Sequence, residues 1–111
     1  LADTPGVTAV FTCNDDLALG TLFECQRRGL RVPEDIAIVG FNDLDFCVSS
    51  MPPLTSVSTG RQQMGHWAAQ SIIEIIRGSG ERPEQRRVDV GFTIMARGSS
   101  APHTAALRTG T

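Results

Sequence analysis

Short, nearly continuous apolar runs alternate along this chain with longer stretches in which apolar residues recur every three or four positions, the pattern of an α/β fold. The first run, Val7-Thr8-Ala9-Val10-Phe11-Thr12, is rich in β-branched residues and predicts a strand buried on both faces. It leads into Cys13-Asn14-Asp15-Asp16. Either Asn14 or Asp15 offers a side-chain acceptor to the free amides of a helix start, and Asp15 and Asp16 complement the positive end of its dipole. Ala18, Leu22 and Cys25 then fall on one line, with Leu19 and Phe23 beside it, which predicts a helix of about thirteen residues. Gly29 stops it after Arg27 and Arg28, whose charges suit the C-terminal end. Gly20, inside the helix, costs about 1 kcal/mol against alanine, so a close packing contact is expected there. Pro33 keeps Val32 out of the helical region, and Ile36 to Phe41 forms a second buried strand. Strand, helix and strand predict a parallel pair joined by a right-handed crossover.

After Asn42-Asp43-Leu44-Asp45, the piece from Phe46 to Ser50 reads as briefly helical and is ended by Met51-Pro52-Pro53. Leu54 to Ser58 predicts another strand. Thr59-Gly60-Arg61-Gln62 has the spacing of a capping box. Met64, Trp67, Ala68, Ile72, Ile75 and Ile76 follow at helical steps, making residues 61 to 77 the clearest amphipathic helix of the chain. Residues 78 to 84 are turn-rich. Val88 to Val90 and Phe92 to Met95 are short strand candidates separated by Gly91. From Ala101 onward little can be buried, and a mobile tail is expected over 101 to 111.

Composition narrows the class. At 111 residues, 41% hydrophobic and 20% charged, the chain matches a globular domain, and no apolar run is long enough to span a bilayer. A net charge of −2 is too close to neutral for this segment to hold nucleic acid by bulk charge. Every basic residue is arginine, which reads as coding bias; Arg27/Arg28/Arg31 and Arg82/Arg86/Arg87 read as solvated ends of elements. Cys13, Cys25 and Cys47 show no ligand spacing and read as reduced thiols, which favours the cytoplasm. The chain opens Leu1-Ala2-Asp3 without a signal segment and reads as a piece of a longer one.

The useful geometry is that Cys13-Asn14-Asp15 and Asn42-Asp43 each follow the carboxyl end of a predicted parallel strand, the edge where open α/β sheets bind ligands. On neighbouring strands, Asn14 and Asn42 share a rim, each offering an amide oxygen and two N–H donors. Such a pair suits a polyhydroxylated ligand. The plainer reading is that Asn and Asp make caps and turns, and capping accounts for Asp15 fully. Asp15, Asp16, Asp43 and Asp45 could also form an acidic magnesium pocket like that of phosphoacceptor receiver domains. His66 lies beside Trp67 and His103 in the tail, and neither is tied by spacing to a nucleophile. No catalytic residue, metal site or cofactor is therefore expected, and no dinucleotide or phosphate-loop motif is present.

Thr8-Ala9-Val10-Phe11, Asn14 through Gly20, Arg28 through Asp43, Pro53-Leu54-Thr55-Ser56-Val57, Met64-Gly65 and Arg97-Gly98-Ser99 closely resemble, in order, the C-terminal part of LacI/GalR-family transcriptional regulators. Periplasmic sugar-binding proteins share the N-D-x-x-A-L-G element, but R-G-L-R-V-P-E-D with P-L-T-S-V favours the regulators. The resemblance implies a fragment of a periplasmic-binding-protein-like α/β fold, with parallel β-α-β units and two subdomains around an effector cleft. Residues 1 to 57 and 89 to 100 would belong to the C-terminal subdomain, and 58 to 88 would cross to the N-terminal one. It implies a helix-turn-helix headpiece for operator DNA, which this chain lacks.

Family effector contacts carry over to Asn14 and to Asn42, with Asp15 and Asp43 as supporting neighbours. Many members have Asp where this chain has Asn42, and Asn does not repel an anionic ligand. With C-N-D-D-L-A-L-G-T-L-F-E-C-Q-R-R-G, that departure resembles the gluconate-operon repressor branch and implies a sugar or sugar-acid effector. Pairing into a homodimer would use Leu19, Leu22, Phe23 and the stretch from Phe46 to Ser50, although Leu22 and Phe23 read equally well as internal core. The resulting expectation is a cytoplasmic, non-enzymatic effector-sensing region with no membrane partner. A transport-type sugar-binding protein and an acidic-pocket signalling enzyme are the alternatives.

Overall fold

The computed structural model describes residues 5–78 and 87–101. Its elements are β1 (Ala9–Phe11), α1 (Asp15–Arg27), β2 (Ala37–Phe41), a 3-10 helix (Asp45–Val48), β3 (Thr55–Ser58), α2 (Arg61–Arg77) and β4 (Thr93–Met95). The strands form one sheet in the order β1-β2-β3-β4. β1 and β2 are parallel, with Phe11 opposite Val39, and β2 and β3 are parallel, with Val39 opposite Thr55. The expected tail from residue 102, with His103, and the cluster members Arg82 and Arg86 lie outside the described residues.

Helix α1 begins where its sequence offers a cap. Asn14 is extended (φ −158°), and its Oδ1 accepts the Leu17 N–H at 2.8 Å. The helix ends at Arg28, and Gly29 turns the chain away at φ 75°. Its buried stripe, Ala18, Leu22 and Cys25, packs with Ile36, Ile38, Cys47 and Leu54 into one core. Burying a leucine such as Leu22 contributes roughly 1.5–3 kcal/mol.

Four expectations are corrected. β1 is covered on one face only: Val10 is half-buried against the core, while Ala9 and Phe11, which alternate onto the opposite face, are exposed. Gly20 makes no close contact; Gly40 does, where an added Cβ would overlap Asp15 Oδ1 and lie 3.2 Å from Ala18 Cβ. The capping box does not form, since the N-cap of α2 is Gly60, at φ 65°, with no side-chain cap bond. Residues 88–90 form no strand; Asp89 Oδ1 instead accepts the Gly91 N–H at 2.8 Å, a turn with Gly91 at φ 78°.

The described residues divide into two compact units, residues 5–58 with 94–101 and residues 59–78 with 87–93. The first holds the core described above. Within the second, α2 has no buried residue, and Met64, Trp67, Ile72, Ile73 and Ile76 are exposed. No described helix is long and apolar enough to cross a membrane.

Candidate functional site

Because β1 and β2 are parallel neighbours, their carboxyl ends open on one edge of the sheet. Asn14 lies three residues beyond Phe11, and Asn42 three beyond its register partner Val39, so the two amides leave that edge in step. Both are half-buried. Oδ1 of Asn14 accepts the helix-cap bond, and its Nδ2 donors and remaining lone pair are what it can present to a ligand.

The loop that carries Asn42 is held in a costly backbone conformation. Asn42 has φ 109° and Asp43 φ 55°, values that non-glycine residues rarely adopt and that cost about 1–3 kcal/mol each. Three consecutive backbone amides fasten it. Asn42 N–H donates to the Val57 carbonyl at 2.9 Å, Asp43 N–H to Ser56 Oγ at 2.9 Å, and Leu44 N–H to Asp15 Oδ2 at 2.6 Å. Ser56 Oγ in turn donates to Asp15 Oδ1 at 2.6 Å.

Asp15 is thus not explained by capping, which Asn14 performs. Its side chain turns inward from the first turn of α1, is fully buried, and has both carboxylate oxygens accepting hydrogen bonds from distant segments. Such bonds to an ionised acceptor are about twice as strong as neutral ones. The Cys47 thiol beside it is pushed up to about 12, first by burial and then by its hydrogen bond to the Asp15 carboxylate.

Asp43 is engaged differently. Its Oδ1 lies 2.8 Å from Arg97 Nη2, with only 21% and 14% of the two side chains exposed. Arg97 Nη1 donates to the Leu54 carbonyl at 2.8 Å, and its backbone N–H donates to Thr55 Oγ1 at 2.8 Å. Two residues on, Ser99 Oγ accepts the Thr55 N–H at 2.8 Å and donates to the Ile38 carbonyl at 2.6 Å. The segment after β4 therefore stitches β2 to β3 beneath the rim.

Sequence pattern singled out Asn14, Asp15, Asn42 and Asp43, which the sheet brings to one edge, but gave no role to Ser56, Arg97 or Ser99. Their only signal was membership in the short strings Pro53-Leu54-Thr55-Ser56-Val57 and Arg97-Gly98-Ser99, since pairing across more than 40 residues leaves no periodicity. The four acids do not gather: Asp16 and Asp45 are exposed, and no group of three or more metal-ligating side chains occurs among the described residues. Of the expected pairing residues, Phe23 is 58% exposed, Leu19 and Phe46 pack partly against the core, and Ser50 Oγ donates to the Pro52 carbonyl at 3.0 Å. Leu22 is corrected. It is fully buried in the chain's own core and has no surface to offer a partner.

Residues 1–100 match the family model of the periplasmic binding protein-like domain. The chain belongs to this family. It is 46% identical over 100 residues to the "HTH-type transcriptional regulator GntR" of Pseudomonas aeruginosa, covering 90% of this chain and 29% of that regulator. The crystal structure of transcription regulator GntR from Chromobacterium violaceum matches with TM-score 0.80 and 48% identity over 90% of this chain and 36% of that one. A LacI family regulator from Enterococcus faecium, solved with bound ribose, matches with TM-score 0.76 and 30% identity, covering 87% and 35% of the two chains. The chain thus spans about 29% of the length of the Pseudomonas relative. Its close homologues are LacI-family transcriptional regulators rather than enzymes, and it corresponds to their C-terminal, effector-binding part.

Proposed function

We propose that this chain is the effector-sensing and pairing region of a cytoplasmic, non-catalytic LacI-type regulator of carbohydrate metabolism, and that its effector is a sugar acid such as gluconate. The observation that carries this reading is the pair Asn14 and Asn42, in step on neighbouring parallel strands, while the adjoining carboxylates of Asp15 and Asp43 engage Ser56 and Arg97. A rim presenting amides in place of unpaired carboxylates suits a hydroxylated anion. Ribose in the Enterococcus relative supports a carbohydrate ligand, and the GntR name of the Pseudomonas relative agrees with the gluconate branch.

Two copies pair through the exposed side of α1 and the 3-10 segment, with Phe23 as anchor and Leu19, Phe46 and Ser50 around it. Effector binding shifts the population of cleft geometries and so alters how two headpieces, outside this chain, are spaced on operator DNA. No cofactor is needed for this.

Asn42→Asp tests the choice of ligand. A carboxylate about 4 Å from an anion costs about 1–4 kcal/mol between the dielectric of water and that of a protein surface. Calorimetry on the full-length protein is expected to show gluconate binding weakened about tenfold or more, with ribose affinity unchanged. Unchanged gluconate affinity contradicts the sugar-acid reading.

A further inference from the structure

We propose that Asp15 is a positioning residue: its buried carboxylate fastens the first turn of α1, which carries Asn14, to the loop after β2, which carries Asn42, and so sets the spacing of the two amides. The inference rests on the effector-site reading of Asn14 and Asn42 given above. Asp15 adjoins Asn14 in sequence, yet its two oxygens reach the two residues that follow Asn42. Oδ2 takes the Leu44 N–H directly at 2.6 Å. Oδ1 takes the Ser56 hydroxyl at 2.6 Å, and that hydroxyl accepts the Asp43 N–H at 2.9 Å.

Both anchors act on a loop whose backbone is strained at Asn42 and Asp43, where the positive φ values persist only if the surroundings fix them. Removing an anchor lets that loop relax and moves Asn42 relative to Asn14. Gly40 makes the arrangement possible, because any side chain there would occupy the space of Asp15 Oδ1. Two acceptors aimed at two donors from distant segments fix a geometry as well as adding stability, which is why ligand binding and not stability is the readout that tests the role.

A double-mutant cycle on the full-length protein tests this, with calorimetry against gluconate, ribose and cellobiose as probes and whichever the wild type binds carried through. Asp15→Asn places an N–H where an acceptor is needed; Ser56→Ala removes the bridging hydroxyl and decides the matter if Asp15→Asn does not fold. Each is expected to weaken binding about tenfold or more with Asn42 present, and less than about twofold in an Asn42→Ala background, because a residue acting through Asn42 has nothing left to position. No loss in either background, or equal losses in both, overturns the positioning role while leaving the effector site standing. If the wild type binds none of the probes, or Asn42→Ala leaves affinity unchanged, the effector-site reading fails and this inference falls with it.

Discussion

A single side chain, Asp15, separates what a sequence pattern can say from what a fold decides. Two adjacent acceptors at a helix start, Asn14 and Asp15, are interchangeable as caps on paper. In the structure one caps and the other is drawn inside, because Gly40 on β2 leaves room for a carboxylate and Ser56 and Leu44 supply donors from far along the chain. Gly40→Ala is therefore expected to destabilise by about 1–3 kcal/mol, read as a lowered urea midpoint, whereas Gly20→Ala, in open space on a helix, is expected to stabilise slightly. The cysteines divide in the same residue-by-residue way. Cys13 is exposed, while Cys25 and Cys47 are buried. A thiol reagent at pH 8 is expected to label one cysteine rapidly and two only on unfolding. Because the Cys47 thiol is raised from 9.0 to about 12, the native state holds its proton longer than the unfolded chain. Its contribution to stability is complete below about pH 9 and is lost as pH rises toward 12.

Helix and strand positions were largely legible. The apolar stripe and the Asn14 and Gly29 boundaries gave α1, and the two apolar runs gave β1 and β2. Helix starts that depend on backbone conformation were not, as α2 shows. Thr59 and Gln62 have the right identities for a reciprocal cap, but the chain enters α2 through Gly60 in the left-handed region. Gly60→Ala is accordingly expected to cost about 1 kcal/mol, and Thr59→Ala less than about 0.5 kcal/mol, in equilibrium denaturation. At the other end of α1, Glu24 faces both Arg27 and Arg28, and their hydrogen bonds hold its carboxyl near 2, below the ordinary 4.5. Carbon-detected titration of Glu24 should show that depressed midpoint. The pair favours the folded state above about pH 4.5 and ceases to do so as pH falls through 2; being solvent-exposed, it is a minor effect.

At the scale of the whole molecule, the parallel order of β1, β2 and β3 turns separate short motifs into one rim. The α/β class and the location of that rim followed from strands alternating with helices. The stitching by Arg97 and Ser99 did not, because contacts between chain segments this far apart are specified by three-dimensional packing. Leu22→Ala in the shared core is expected to lower stability by about 2–5 kcal/mol without creating a pairing defect of its own. The central claim concerns the ligand on the rim, and a crystal structure of the full-length protein grown with gluconate tests it most directly. The expected result is gluconate with polar atoms within about 3.2 Å of Asn14 Nδ2 and of the Asn42 side-chain amide. Gluconate bound elsewhere, or bound without contact to either amide, contradicts it.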